Sequence, residues 1–365
     1  MSDYTIDTLL EKAVELGASD LHFIVGEVPA FRIDGKIIKS KLEPVTEQDM
    51  IKAIDTIAPG SMRDKVFNSY DSDFPYEIKG VSRFRVNVAM TFGYHSMTIR
   101  LVPYEIPTFD MLNLPHNIEN FSKLENGIVL VTGVAGSGKS TTIASILEHI
   151  NINQKKHIVT IEDPIEYVYE SKKSIYTQRQ IGIDTANYID GLKFALRQDP
   201  DVILIGEIRD METVQSALHA AETGHLVFAT LHTFNAIQTI NRILSFFPPG
   251  EREAVRAQFA ETFRGSISQR LIPKANNRGR VPAIEILFST STIKDLILKD
   301  ELEEIYKLVQ KGAYNDMITF NQSLFNLLKM GVITREVALE NSDTPNELEH
   351  MIRGVYSGTD SHIQF

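Results

Sequence analysis

Residues 127–142 read GIVLVTGVAGSGKSTT, an apolar run that opens into a glycine-rich loop and then into the start of a helix. Gly133, Gly138, Lys139 and Ser140 stand at the spacing G-x-x-x-x-G-K-[ST] of a phosphate loop, and the Ile-Val-Leu-Val of residues 128–131 supplies the buried strand that must precede it. The chemistry requires these residue types. Backbone N–H groups wrap a triphosphate only where side chains leave room, as Gly133, Gly136 and Gly138 do. A helix starting near Lys139 aims its unpaired N–H groups and positive dipole end at the phosphates. The Lys139 ammonium then reaches the β and γ oxygens, Ser140 ligates Mg²⁺, and Val134, Ala135, Ser137 and Thr141 complete the cradle for ATP. The bland alternative is a glycine-rich turn with a solvated lysine; strand before and helix after speak against it.

Beyond this stretch, strands and helices alternate. Apolar runs at 158–161, 202–205 and 226–231 read as strands, and 187–198, 211–223 and 236–246 as helices, which implies a parallel sheet covered on both faces. Function is then expected at the carboxyl ends of the strands. Three clusters fall there. Glu162, Asp163 and Glu166 emerge from TIEDPIE, where a carboxylate can orient the attacking water or support the metal. Glu207 follows the run Val-Ile-Leu-Ile-Gly as a Walker B acid on the Mg²⁺ side, with a helix-starting acid as the plain alternative. His225 and His232 bracket the third strand; taken alone, each reads more readily as a structural hydrogen-bonding residue than as a catalytic one, and no H-E-x-x-H metal spacing occurs. After Pro248-Pro249 the pattern turns helical at 251–270, 290–299, 301–310, 316–329 and 344–352, with a strand at 282–287. Residues 354–365 read as a flexible tail.

Upstream lies a small α+β domain. Ile6, Leu9, Leu10, Ala13 and Val14 recur at helical spacing before Gly17, strands are expected at 20–25, 30–33 and 36–38 around an Asp34-Gly35 turn, and Thr46 with Asp49 caps a helix towards Ala58. In the strand 83–88, Phe84, Val86 and Val88 share one face while Arg83 and Arg85 share the other, and Arg100 lies opposite Met97 and Ile99 in the next strand. These arginines either form a solvated face or reach a triphosphate held by a neighbouring subunit. Pro103, Pro107 and Pro115 punctuate an inter-domain linker.

The composition sets bounds. A chain of 365 residues favours two or three domains, and a net charge of −11 argues against a nucleic-acid groove as the main surface. Without cysteine there is no disulfide framework and no Cys-based zinc module. The N-terminus lacks a basic and an apolar signal region and no run reaches membrane-spanning length, so the expected location is cytoplasmic, with any membrane association made through a partner.

The ordered set GVAGSGKST, TIEDPIE, VILIGEIRD and HLVFATLH, with SDLHF and FRIDGKI upstream, resembles the retraction ATPases of bacterial type IV pili within the secretion-ATPase superfamily of additional-strand P-loop enzymes. That resemblance covers nearly the whole chain. It implies a PAS-like domain (1–107), a linker (108–120), a RecA-like ATPase core (121–290), a C-terminal helical bundle (291–353) and the tail. It also implies a homohexamer with ATP between the domains, driving pilus disassembly through an inner-membrane platform protein, without nucleic acid or membrane insertion. Carried over by position, Lys139 and Ser140 bind phosphate and Mg²⁺, Glu166 is the favoured catalytic carboxylate with Glu162 as the other candidate, Glu207 is the Walker B acid, and His225 and His232 sense nucleotide. Arg83, Arg85 and Arg100 would be brought to the nucleotide, and Asp163 joins Ser140 and Glu207 at the metal. The chain departs from the retraction enzymes' AIRNLIRE segment at 292–299, TIKDLILK, where the apolar spacing survives and both arginines are missing. Pilus-assembly and type II secretion ATPases, a nucleic-acid translocase and a non-hydrolysing nucleotide scaffold are the rival readings.

Overall fold

The computed structural model describes residues 4–33, 35–102, 105–276, 279–310 and 316–354. The chain divides into two units, Met1–Glu105 and Ile106–Phe365. In the first, Thr5 and Thr8 cap each other's backbone at the start of α1 (Ile6–Glu15), which buries Ile6, Leu9, Leu10 and Ala13. Strands β1 (Asp20–Ile24), β2 (Ala30–Ile33) and β3 (Lys36–Lys39) follow. Of the expected turn, Gly35 has a φ of +78° while Asp34 lies outside the described residues. Thr46 and Asp49 form a reciprocal cap on α2 (Glu47–Ile57). Two elements were not legible beforehand, α3 (Gly60–Asn68) and β4 (Asp71–Ile78). With β5 (Ser82–Thr91) and β6 (Tyr94–Val102), β4 completes an antiparallel sheet in the order β3-β2-β1-β6-β5-β4. Phe84, Val86 and Val88 enter one core with Leu10, Phe23 and Ile54.

The second unit starts with residues expected to be a linker. Leu114, Ile118 and Phe121 are fully buried, the last two on a 3-10 helix (His116–Lys123), so this stretch belongs to the unit's core; Pro103 lies outside the described residues. The alternating elements are β7 (Gly127–Thr132), α4 (Lys139–Asn153), β8 (His157–Glu162), β9 (Ile175–Gln180), α5 (Tyr188–Ala195), β10 (Val202–Ile205), α6 (Met211–Glu222), β11 (Leu226–Leu231) and α7 (Ala236–Ser245). They continue through α8 (Arg252–Thr262), β12 (Phe263–Pro273) and β13 (Arg280–Phe288). The sheet runs β13-β12-β7-β11-β10-β8-β9, parallel throughout except for β13, which pairs antiparallel with β12. Alternate residues feed two cores: Ile128 and Leu130 pack with α5–α8, Val129 and Val131 with α4. Both faces are therefore dry, as a continuous apolar run demands.

The helix expected over 251–270 is corrected: it ends at Thr262, and Phe263 begins a strand. Phe263, Gly265 and Ile267 pair with β7 or fill its neighbourhood, so tertiary pairing overrides the helical preference of the charged stretch before them. The remaining helices, α9 (Ser291–Leu298), α10 (Leu302–Gln310), α11 (Phe320–Lys329), α12 (Arg335–Glu340) and α13 (Pro345–Ile352), divide in two. Residues of α9 and α10 join the core of α5–α8, whereas α11–α13 pack on Ile272, Val281 and Ala283 of the β12–β13 hairpin. The expected helix at 316–329 begins at Phe320, because Ile318 instead bridges Ile286 of β13. Residues 355–365, expected as a tail, lie outside the described residues. Among the described residues no helix is long and apolar enough to cross a membrane.

Gly265 tests this arrangement. A Cβ there would lie 2.3 Å from the Leu287 carbonyl oxygen and 2.7 Å from the Phe121 ring, and the first of these is backbone that cannot step aside. Gly265→Ala is expected to lower stability by about 2 kcal/mol or more. Urea unfolding checks it, and an unchanged midpoint contradicts the close approach of β12 to β13.

Candidate nucleotide-binding site

The loop between β7 and α4 is shaped from both sides. Gly133, Gly136 and Gly138 have φ of +146°, +72° and +89°. At Gly133 a Cβ would meet the Gln269 carbonyl oxygen at 2.4 Å, and at Gly138 it would meet the Gln269 amide nitrogen at 2.7 Å, so two of the three glycines answer to β12. Gly136 has open space around it and is required for its conformation alone. Gly138 is the N-cap of α4 and offers no side-chain acceptor, which leaves the first N–H groups of the helix to a ligand. Lys139 curls back under the loop: its Nζ donates to the carbonyls of Gly133 (2.8 Å) and Val134 (3.1 Å) and lies 3.5 Å from His232 Nδ1. Burial lowers its pKa, and Glu207 and Glu166 work against that.

A cleft of about 470 Å³ opens over the loop, and Ser140, Thr141, Glu162, Asp163, Glu166, Glu207 and His232 all line it. Their elements explain the gathering. Glu162 ends β8, Asp163 and Glu166 follow it, Glu207 comes two residues after β10, and His232 directly after β11. Glu207 is held between two partners: Oε1 lies 3.1 Å from His232 Nε2, and Oε2 accepts from Arg209 Nε at 2.8 Å. The Thr141 hydroxyl is 2.9 Å from the Tyr167 hydroxyl, tying α4 to the loop that carries Glu166. Glu162 is buried, its Oε1 without a hydrogen-bond partner, and burial pushes its pKa up to about 7 although the Glu166 N–H reaches its other oxygen. Glu166, by contrast, is exposed on the rim.

His225, the other histidine expected to sense nucleotide, does not line this cleft. It precedes β11, at the amino end of a strand whose carboxyl end bears His232, and its Nδ1 contacts the Ala220 carbonyl (2.9 Å) and the Thr223 hydroxyl (3.1 Å). Seven residues of extended chain separate the two rings by about 20 Å. The three arginines belong to the first unit: Arg100 Nε donates to the buried Asp20 (3.0 Å), Arg85 lies 3.6 Å from Asp73, and Arg83 is half-buried on the same strand as Arg85. Among the described residues no group of three or more His, Cys, Asp or Glu could hold a metal by itself. Ser140 and Glu207 present oxygen donors of the kind that suits Mg²⁺ arriving on a triphosphate.

Sequence reading missed Gln269, Tyr188, Leu271 and Arg280. All but Gln269 line the cleft, and Gln269 lies behind the loop. Leu271, like Gln269, fell inside or beside the expected helix, so no strand alternation was read there. A second hollow of about 200 Å³ shares Gly138 and Thr141 with the first; Met111, Leu112 and Leu271 give it an apolar wall suited to a planar base.

The family described as type II/IV secretion system protein matches residues 3–307. The chain is 41% identical over 340 residues to the type IV pilus retraction ATPase PilT of Pseudomonas aeruginosa, covering 93% of this chain and 98% of that one. It is 39% identical over 310 residues to the twitching motility protein of Neisseria gonorrhoeae, covering 85% and 83%. A crystal structure of the pilus retraction motor PilT with bound ADP superposes with a TM-score of 0.89 at 45% identity, over 96% of this chain and 100% of that one.

The buried Glu162 makes stability depend on pH in a set direction. Below its ordinary pKa of 4.5 both folded and unfolded chains hold the proton; between 4.5 and about 7 only the folded chain keeps it, so folding loses stability as pH rises, and above 7 the penalty is constant. Glu162→Gln is expected to unfold at the wild-type denaturant midpoint near pH 4.5 and to gain up to about 3 kcal/mol at pH 8. A gain independent of pH would contradict the buried, proton-holding carboxyl.

Proposed function

The chain belongs to the type II/IV secretion system protein family, and on that premise we propose a motor that hydrolyses ATP to retract and disassemble type IV pili. Its enzymatic identity is that of a nucleotide-binding ATPase. The observation that carries the reading is the convergence of Lys139, Ser140, Glu166, Glu207 and His232 on one cleft at the phosphate loop, in a chain 41% identical to a retraction ATPase over 93% of its length.

In this reading the loop N–H groups and Lys139 hold the β and γ phosphates, exchanging the lysine's contacts with Gly133 and Val134 for phosphate oxygens. Ser140, Glu207 and Asp163 hold Mg²⁺, which when bound neutralises charge on the transferred group. Glu166, free on the rim, orients water in line with the γ-phosphate, and Glu162 backs it from the buried side. His232 reads occupancy through its contacts with Glu207 and Lys139. Arg83, Arg85 and Arg100 of a neighbouring copy absorb developing charge, so the working form is a homohexamer of PAS-like and RecA-like domains. Its C-terminal helices transmit domain movement to an inner-membrane platform protein from the cytoplasmic side. In α9, which stands at the divergent 292–299 segment, Ile293 and Ile297 are buried, and that retained apolar face supports a docking role for its other side.

Glu166→Gln is expected to keep ATP affinity within about threefold and to cut turnover about 100-fold or more, whereas Lys139→Ala loses binding as well. Fluorescent-nucleotide titration beside phosphate release separates the two; full turnover in Glu166→Gln would move the catalytic role to Glu162. In cells, deletion of the gene is expected to leave surplus surface pili without twitching, and bald cells would instead point to an assembly motor.

A further inference from the structure

We propose that Gln269 is a positioning residue for the nucleotide site, aiming the Gly138 N–H into the phosphate cradle by holding the Ser137 carbonyl on the opposite side. The inference rests on the nucleotide-binding reading of the loop and adds a residue from outside the motif to it.

Gln269 lies on β12, 3% exposed, behind the loop. Its Nε2 donates to the Ser137 carbonyl at 2.7 Å, and its Oε1 accepts from the Thr142 hydroxyl at 2.7 Å. A carbonyl can only accept, so the amide's orientation follows from its partners. The preceding residue, Ser268, accepts from Thr132, the last residue of β7, at 3.1 Å. Consecutive residues of β12 therefore grip the end of β7, the loop residue just before the Gly138 N-cap and the first turn of α4.

The consequence follows from peptide geometry. The Ser137 carbonyl and the Gly138 N–H belong to one planar trans peptide, in which the two bonds point in opposite directions. Drawing the carbonyl back to Gln269 turns the N–H forward, and Gly138 lines the cleft on that side. The Gly138 position is set from the same side, since a Cβ there would lie 2.7 Å from the Gln269 amide nitrogen. Only a side chain with a donor and an acceptor on one short planar group satisfies both Ser137 and Thr142. Glutamate lacks the donor, and leucine lacks both.

The test is nucleotide affinity and kinetics in the full chain. Gln269→Leu is expected to raise the ADP Kd and the ATP KM by about 10- to 30-fold, two buried hydrogen bonds being at stake, with a smaller effect on kcat. Gln269→Glu should be worse than Gln269→Leu, because it faces a carboxylate towards the Ser137 carbonyl. Thr142→Val should raise Kd by about fivefold, with Thr142→Ser restoring it, and adding Thr142→Val to Gln269→Leu should cost nothing further. A merely structural residue would lower the active fraction, and so kcat, at unchanged KM and Kd. That pattern, or a Kd for Gln269→Leu equal to wild type, overturns the inference. Should Gln269→Leu fail to fold, the contrast between Thr142→Val and Thr142→Ser decides, equal affinities overturning it. Failure of wild type to bind ADP at all would instead remove the nucleotide-site reading itself.

Discussion

The second unit depends on one constraint: four of its parallel strands end within two residues of one another. Thr132 pairs with Leu231, Ala229 with Ile205, and Ile205 with Ile161, so β7, β11, β10 and β8 reach a common carboxyl edge in sequence-distant segments. Each strand is dry on both faces, and sliding one by a single residue would turn its whole apolar set towards the wrong core. That penalty locks the register. The locked register brings the phosphate loop, the Glu162–Glu166 turn, Glu207 and His232 to one place, none of them neighbours in sequence except within their own turn.

Burial then assigns the acids different states. Burial pushes the Glu162 pKa up to about 7, so one fewer negative charge stands at the cleft below that pH. Glu207 is shared between Arg209 and His232, and hydrogen bonding to Glu207 raises the pKa of Arg209. Glu166 reaches neither arrangement and lies in the open. Of the four carboxylates around the cleft, Glu162 is thus buried, Glu207 is held by Arg209 and His232, and Asp163 and Glu166 are exposed. Such separation of environments lets like residues take unlike tasks.

Much of this was legible in residue order. The run 202–205 is apolar at every position and 226–231 at all but Thr230, as strands buried on both sides require, and Thr46 with Asp49 marks a helix start. The losses have a common cause. β12 carries Arg264, Ser266, Ser268, Gln269 and Arg270, and β9 reads Ile-Tyr-Thr-Gln-Arg-Gln, so neither shows the apolar signature. β9 is polar because it stands at the edge of the sheet. β12 is polar because its side chains are hydrogen-bonding partners of the loop and of β7, a use visible only when the neighbours are in place.

The same polar lining separates what can move at this site from what cannot. Thr132 donates to Ser268, the Thr233 and Thr239 hydroxyls lie 2.7 Å apart, Thr239 contacts the Asn235 carbonyl at 2.7 Å, and the Ala236 N–H donates to the buried Glu285 at 2.7 Å. These bonds tie the end of β7, β12, β13 and the start of α7 into one buried block, and each group pulled from its partner there would forfeit about 1–3 kcal/mol. Rearrangement on binding is therefore cheap only where groups face water: Val134, Ala135 and Gly136 at the loop's crest, Glu166 on the rim and the half-exposed ring of His232. A ligand entering the cleft meets a fixed floor and a yielding lip, and His232 sits where the two meet, its backbone at the end of β11 and its ring between Glu207 and Lys139.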